Sequence, residues 1–318
     1  MCVEKLKTEF HFPYISFCKS GAQCFAEIFK RINYNDYDEV IVPITLCYSV
    51  IKEIIKAKLI PIFADIDENF QISINEIKKA ITEKTKAIIY VNQYGYLQNY
   101  KSIHFKNKKN KPIINILDNA QCSLQSYDGN FDYTVYSFDK GKPITVDGGL
   151  GMLISKYNLQ IDYYNNYVNL DLKKINNFSS TFQRSTNIAN KIKEKLGMQW
   201  VFVNLENSSL YRLVCYKKEF NRKSFGKFEN DLYAYQANNN INICQTTLDI
   251  APFQRQYVKQ YIKKHTNSVP KNQKDFINYN KLASKTIYFK INGNVKASDY
   301  ENVCEFILNY RYNSRSRR

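Results

Sequence analysis

Short apolar runs rich in β-branched residues recur along the first half of the chain, at residues 39–44, 59–66, 87–92, 112–117, 133–138 and 150–155. Each predicts a buried strand. Between the first of them, apolar positions fall at steps of three and four, which predicts helices over 22–32, 48–58 and 73–81. That alternation predicts a parallel sheet covered by helices. The 59–66 strand exits through Asn69 to a helix starting at Ile74, with Ser73 as its cap. After Tyr157 the pattern loosens into Tyr/Asn-rich sequence. Near the end, 286–291 reads as a strand and 298–308 as a helix, with Ser298 as cap and Glu301 at the capping-box spacing. The expectation is an α/β protein, with a large domain over 1–175 holding the mostly parallel sheet and a smaller C-terminal α+β domain over 176–318.

With 318 residues, 44% hydrophobic and 24% charged, the chain has the composition of an ordinary globular protein. No apolar stretch reaches the length of a membrane helix and the first residues lack the apolar core of a signal peptide, so a cytoplasmic protein without membrane insertion is expected. The eight cysteines are scattered, with no Cys-x-x-Cys pair and no histidine cluster beside them, so neither a disulfide framework nor a metal site is expected. They read as reduced and mostly buried. A formal charge of +17 and a pI near 9.3 fit nucleic acid, an anionic surface or anionic small substrates. The densest basic runs, 106–111 and 311–318, carry only Tyr312 as an aromatic able to stack on a base, so they read as solvated surface and no nucleic-acid partner is expected.

The candidate chemistry lies where strands end. Asp118 closes one apolar run, Ser137 sits in another nineteen residues later, and Lys142 follows Ser137 by five positions, ahead of the glycine pair Gly148-Gly149. In an open parallel sheet, ligands bind beyond the carboxyl ends of the strands, where such side chains converge. A lysine can hold an aldehyde, a carboxylate can keep a pyridine nitrogen protonated and a hydroxyl can hold a phosphate, which together are what pyridoxal phosphate (PLP) requires. Lys140 competes with Lys142 for the aldehyde, and chemistry alone does not choose between them. Gln121, three residues past Asp118, could face the same ring. Ser20-Gly21-Ala22-Gln23 precedes a helix, so its amides and the helix dipole offer an anion site, with Ser137 adding a hydroxyl. His11, His104 and His265 lie outside all of these groups and receive no role.

From Ser20 to Ser155 the order of these motifs resembles the sugar-nucleotide aminotransferases of the DegT/StrS type, which are fold-type I PLP enzymes. Ser20-Gly21-Ala22 is similar to the family's Ser-Gly-Thr, and Pro61-Ile-Phe-Ala-Asp65-Ile-Asp67 to its Pro-Val-Phe-Val-Asp-Ile-Asp. Asp38 to Pro43 resembles the family's strand leading to the cofactor face, and Thr85 to Gly95 the stretch ending in Tyr-Gly. Asp118-Asn-Ala-Gln121 matches Asp-x-Ala-Gln, and Ser137-Phe138 with Lys142 matches Ser-Phe with lysine five residues on. The resemblance implies a fold-type I PLP-dependent transferase. It makes Lys142 the Schiff-base lysine, Asp118 the pyridine partner, Gln121 a ring or hydroxyl contact, Ser137 a phosphate ligand, and Gly21, Ala22 and Gln23 the phosphate loop. It further implies a homodimer that moves an amino group, with L-glutamate as donor, to a keto group on a nucleotide-linked sugar. The chain departs from the family at Ala22, which replaces a threonine, and at Cys47, where an aromatic residue often stacks on the cofactor; Tyr48 is the substitute expected. No segment matches the family's Gly-Tyr-Asn-Tyr-Arg. These departures motivate an alternative, a degenerate member that binds cofactor or sugar nucleotide without turnover in a regulatory or assembly role. The lysine at 142 argues against the branch that replaces it with histidine and dehydrates its substrate.

Overall fold

A computed structural model describes residues 6–8, 11–97, 104–124, 129–159, 161, 178–203, 211–246, 254–266, 273–291 and 295–310. The first sheet holds seven strands: β1 (Tyr14–Cys18), β2 (Glu39–Pro43), β3 (Ile60–Ala64), β4 (Thr85–Val91), β5 (Ile114–Asp118), β6 (Tyr133–Ser137) and β7 (Gly151–Ser155). Their spatial order is β1-β7-β6-β5-β4-β2-β3. The β3-β2-β4-β5-β6 pairings are parallel, whereas β7 runs antiparallel to both β6 and β1. The mostly parallel sheet expected from the sequence is present. β1 adds an edge strand ahead of the first one predicted, because its five residues carry too short an apolar run to stand out.

Local chemistry accounts for the layers. Val40, Ile41 and Val42 of β2 are fully buried, since helices cover both faces of a parallel sheet. Helix α1 (Gly21–Arg31) buries Cys24, Phe25, Ile28 and Phe29 on one stripe, and Ser20 caps it by accepting from the Gln23 amide. Helix α2 (Tyr48–Lys56) buries Val50, Ile51, Ile54 and Ile55 in the same way. Helix α3 (Ile74–Ala80) starts at the predicted cap, Ser73, whose hydroxyl accepts from the Glu76 amide.

A second, antiparallel sheet has the order β10-β11-β9-β8, from β8 (Val201–Phe202), β9 (Leu213–Tyr216), β10 (Cys244–Thr246) and β11 (Thr286–Phe289). Helices α4 (Phe178–Leu196), α5 (Arg222–Asn238) and α8 (Ala297–Asn309) share its apolar core, with Ile192, Leu196, Phe228, Leu232, Val303 and Ile307 among the buried residues. Helices α6 (Gln256–His265) and α7 (Ile277–Ala283) behave differently. Their Val258, Ile262, Phe276, Tyr279 and Leu282 join the core of the first sheet. Asp65, at the exit of β3, fastens that return: its carboxylate accepts from the Asn278 and Tyr279 amides at 2.8 and 3.0 Å, capping α7 from more than two hundred residues away. The sequence position 175/176 expected to divide the chain lies outside the described residues, as does the basic run 311–318.

One capping expectation is corrected. Helix α8 begins at Ala297 after Lys296, so Ser298 already lies inside the first turn and makes no cap hydrogen bond. The basic run 106–111 forms a tight turn organised by Asn107, which donates to the Glu83 carbonyl and accepts from the Lys109 and Lys111 amides, while its lysines are exposed and Lys109 pairs with Glu83 at 3.2 Å. Of the described cysteines, Cys47 is exposed and the others are buried, all of them free thiols. No helix among the described residues is long and apolar enough to cross a membrane.

Candidate functional site

The parallel ladder brings the ends of β5 and β6 to one edge, with Asp118 beside Val135 and Ser137 two residues further on. The antiparallel pairing of β1 with β7 puts Cys18 against Gly151, and α1 starts three residues beyond Cys18. Asp118 is only 5% exposed. One carboxylate oxygen accepts from the Ala120 amide at 2.9 Å. Burial pushes the carboxyl above its ordinary value, and the Ala120 amide and the charge of Lys142 pull it back down. Beneath it, Asn92 donates to Asn119 at 2.6 Å and Asn119 donates to the Tyr136 hydroxyl at 3.1 Å, a buried amide chain that ties β4, β5 and β6 together.

At the start of α1 the backbone comes hard against Ser137. A Cβ added at Gly21 would lie 3.0 Å from the Ser137 Cβ and 3.4 Å from its Oγ, so a side chain there would have to push Ser137 aside by a few tenths of an ångström. The Gln23 amide is spent on the Ser20 cap and the Gln23 side chain accepts from the Lys19 amide, leaving the Gly21 and Ala22 amides directed out of the first turn. An anion is favoured there by these amides and the helix dipole. The Ser137 hydroxyl, however, donates to the Asp139 carboxylate at 3.2 Å, which places a negative charge next to the same spot.

The loop beyond β6 carries both candidate lysines. Lys140 is exposed, whereas Lys142 is half-buried and its charge acts on Asp118. Gly141 adopts a left-handed conformation, φ +82°, which a side chain would strain. Its carbonyl accepts from the Tyr211 hydroxyl at 2.6 Å. The Lys142 amide donates to the Asp139 carbonyl at 3.1 Å.

Gln121 accepts from the Tyr94 amide at 2.8 Å and so holds Tyr94 in its left-handed conformation, φ +60°. Tyr48 opens α2 with the Arg255 guanidinium 4.1 Å and the Lys52 amine 5.5 Å from its ring centroid, so cations rather than a neighbouring ring cover it. The structure therefore brings Asp118, Lys142, Ser137 and Gly21 to one edge, ties Gln121 to Tyr94, and gives Tyr48 a cationic setting of its own. Sequence reasoning missed Asp139, Tyr211 and Arg212. Asp139 lay inside the recognised motif but resembled a loop residue, and the other two sit in a stretch with no readable pattern. Taken together, the edge offers an anion site at α1, an amine at Lys142 and a buried carboxylate at Asp118.

The chain is similar to several known proteins. GDP-perosamine synthase of Escherichia coli O157:H7 is 31% identical over 164 residues, 48% of this chain and 44% of that protein. The 3-oxo-glucose-6-phosphate:glutamate aminotransferase of Bacillus subtilis is 28% identical over 54% of this chain and 41% of its own length. Each match thus spans less than half of the relative. Among solved structures, Helicobacter pylori PseC, an aminotransferase involved in pseudoaminic acid biosynthesis, superposes with a TM-score of 0.73 at 15% identity, over 96% of this chain and 89% of that one. NtdA of Bacillus subtilis with bound cofactor PMP gives 0.76 at 16% identity, over 97% and 76%. Those likenesses establish the fold across both sheets. The model of the DegT/DnrJ/EryC1/StrS aminotransferase family matches residues 13–198, more than half of the sequence, and the chain belongs to that family.

Proposed function

We propose that this protein is a PLP-dependent aminotransferase that takes an amino group from L-glutamate and delivers it to a keto group of a nucleotide-linked sugar. The observation that carries the reading is that the buried carboxylate of Asp118 and the amine of Lys142 lie at the sheet edge where α1 begins, near enough for the lysine's charge to act on the acid. PLP supplies an aldehyde that condenses with amines and a protonated ring that withdraws electrons from the bond being broken. The residues fit that group: the Gly21 and Ala22 amides would take the phosphate, Asp118 would take the ring nitrogen and Lys142 would take the aldehyde carbon.

Each residue has a physical task. Asp118, shielded from water, keeps its charge when a cation faces it, and a buried ion pair of that kind is strong because little solvent screens it. Lys142, once a donor amine took its place on the aldehyde, would have a free amine at the edge that could move a proton from the substrate carbon to the cofactor carbon. Gln121 fixes Tyr94 against the edge. The excess of lysine and arginine suits a diphosphate-bearing substrate. In this reading two copies form the working unit, the protein acts in the cytoplasm, and its partners are small anions and not nucleic acid. Support for the substrate class comes from a relative named GDP-perosamine synthase, and for the donor from one named 3-oxo-glucose-6-phosphate:glutamate aminotransferase.

The test is a half-reaction: the purified chain loaded with PLP is mixed with L-glutamate alone, and the cofactor spectrum is followed. Conversion to the amine form supports turnover. No conversion, with PLP bound, favours the second reading, a member that binds without turnover, which the Ser137 to Asp139 hydrogen bond favours because it spends a phosphate ligand on a carboxylate.

A further inference from the structure

Tyr211 belongs to the chain entering β9 of the second sheet, yet its hydroxyl reaches the loop that carries Lys142. The side chain is 8% exposed, so the hydroxyl depends on protein partners. It has two. It donates to the Gly141 carbonyl at 2.6 Å and accepts from Arg212 Nη2 at 2.9 Å. The Arg212 guanidinium lies over the Tyr211 ring, 3.8 Å from its centroid, and its Nη1 donates to the Tyr211 carbonyl at 3.1 Å. A cation donating to a phenol oxygen polarises the O–H and strengthens what it donates.

The bond falls on a particular peptide. Gly141 C=O and Lys142 N–H belong to one planar unit. Tyr211 holds its oxygen and the Asp139 carbonyl holds its N–H, at 2.6 and 3.1 Å. With both ends fixed the plane cannot turn, and the plane sets the direction in which the Lys142 side chain leaves the backbone. Gly141 needs such a restraint, because a glycine at φ +82° has many other conformations open to it. The same dipeptide also reaches the other half of the site. The Arg212 amide donates to the Tyr94 carbonyl at 3.2 Å, and the Tyr94 amide is held by Gln121.

We infer that Tyr211, braced by Arg212, is a positioning residue for Lys142, aiming the amine toward Asp118 by holding the Gly141–Lys142 peptide from the second sheet. The inference rests on the functional reading of Lys142 given above. It makes the second sheet a working part of the site, and it separates the two candidate lysines physically, since the held peptide is the one leading into Lys142.

The experiment uses the full chain as wild type, Tyr211→Phe and Arg212→Gln, with PLP as the probe. Amide exchange is measured first without PLP, in a peptide covering residues 139–142. The visible band of lysine-bound cofactor is then followed after PLP addition, with its pH midpoint. Tyr211→Phe is expected to raise exchange at Lys142 and to slow band formation, each roughly fivefold to tenfold, the worth of one hydrogen bond. The band's pH midpoint should move while exchange elsewhere and the melting temperature stay near wild type. Arg212→Gln should shift the same readouts in the same direction by less, and it carries the test if Tyr211→Phe does not fold. A wild-type band with variants that match it in exchange, rate and pH midpoint overturns this inference alone. A wild-type chain that gives no band at all overturns the functional reading, and this inference with it.

Discussion

Asp118 and Lys142 lie at the same sheet edge, yet the fold holds them by opposite means. Asp118 ends a strand at the centre of the first sheet, its carboxylate fixed by the Ala120 amide and its surroundings packed by the Asn92, Asn119 and Tyr136 chain. Lys142 stands on a glycine-containing loop to which Tyr211, from the chain entering the second sheet, donates a hydrogen bond. In the proposed reading the acid is therefore intrinsic to the parallel sheet, whereas the lysine is placed by a contact between the two sheets. A site built this way can lose the lysine's aim while its acidic half stays intact.

The sharpest way to break the comparison is to remove the lysine. Lys142→Ala should lose the visible band of bound cofactor and reduce turnover by on the order of 10²–10⁴-fold, the value of a positioned proton carrier, as read by glutamate-dependent kinetics. Lys140→Ala, at an exposed position, should leave both nearly unchanged. Next in size is Asp118→Asn, which keeps the volume and loses the charge; turnover should fall by about 100-fold, as for other lost transition-state charges in dry sites.

The same substitution has an opposite effect on the cofactor-free fold. Because burial raises the folded carboxyl's pKa above its ordinary 3.8, the folded chain holds that proton more tightly than the unfolded chain does. Stability from this group is then fully present below 3.8 and is lost as pH rises through the folded value. Without PLP at neutral pH, Asp118→Asn should melt at or above wild type, and the gap should close in acid; thermal melts across pH check this. A variant that melts well below wild type at neutral pH would contradict the buried-charge account.

Smaller effects probe the surroundings. Asp65→Ala removes the remote cap of α7 and should cost about 1–2 kcal/mol in urea unfolding, the usual value of a lost cap. Asp139→Asn takes a negative charge from beside Ser137 and should tighten PLP binding by roughly twofold to fivefold, the worth of one partly screened charge, as read by titration of the visible band.

How much of this was legible in the sequence follows from where the information lies. Apart from the edge strand β1, the first sheet's strands and helices announce themselves locally: Val40, Ile41 and Val42 form a continuous apolar run, and Ser20 and Ser73 precede helical stripes as caps. Asp118, Ser137 and Lys142 were readable because a parallel sheet sends all its strand ends to one edge, so spacing along the chain becomes proximity in space. The second sheet was not readable beyond β11 and α8. Its β8 has two residues and β10 three, too short to show a period. Tyr211 and Arg212 were invisible for a different reason. Their partners, Gly141 and Tyr94, lie seventy and more residues away, and no local pattern encodes a contact that only tertiary packing creates. Asp65 shows the converse: its motif was plain, but its task as a cap for α7 appears only when the chain returns.

The central claim is that the amine at 142, and no other, meets the cofactor. Borohydride reduction of the PLP-loaded protein, followed by proteolysis and mass mapping, tests it most directly. The account predicts a single stable pyridoxyl adduct on Lys142; an adduct on Lys140 or another lysine, or none, would contradict it.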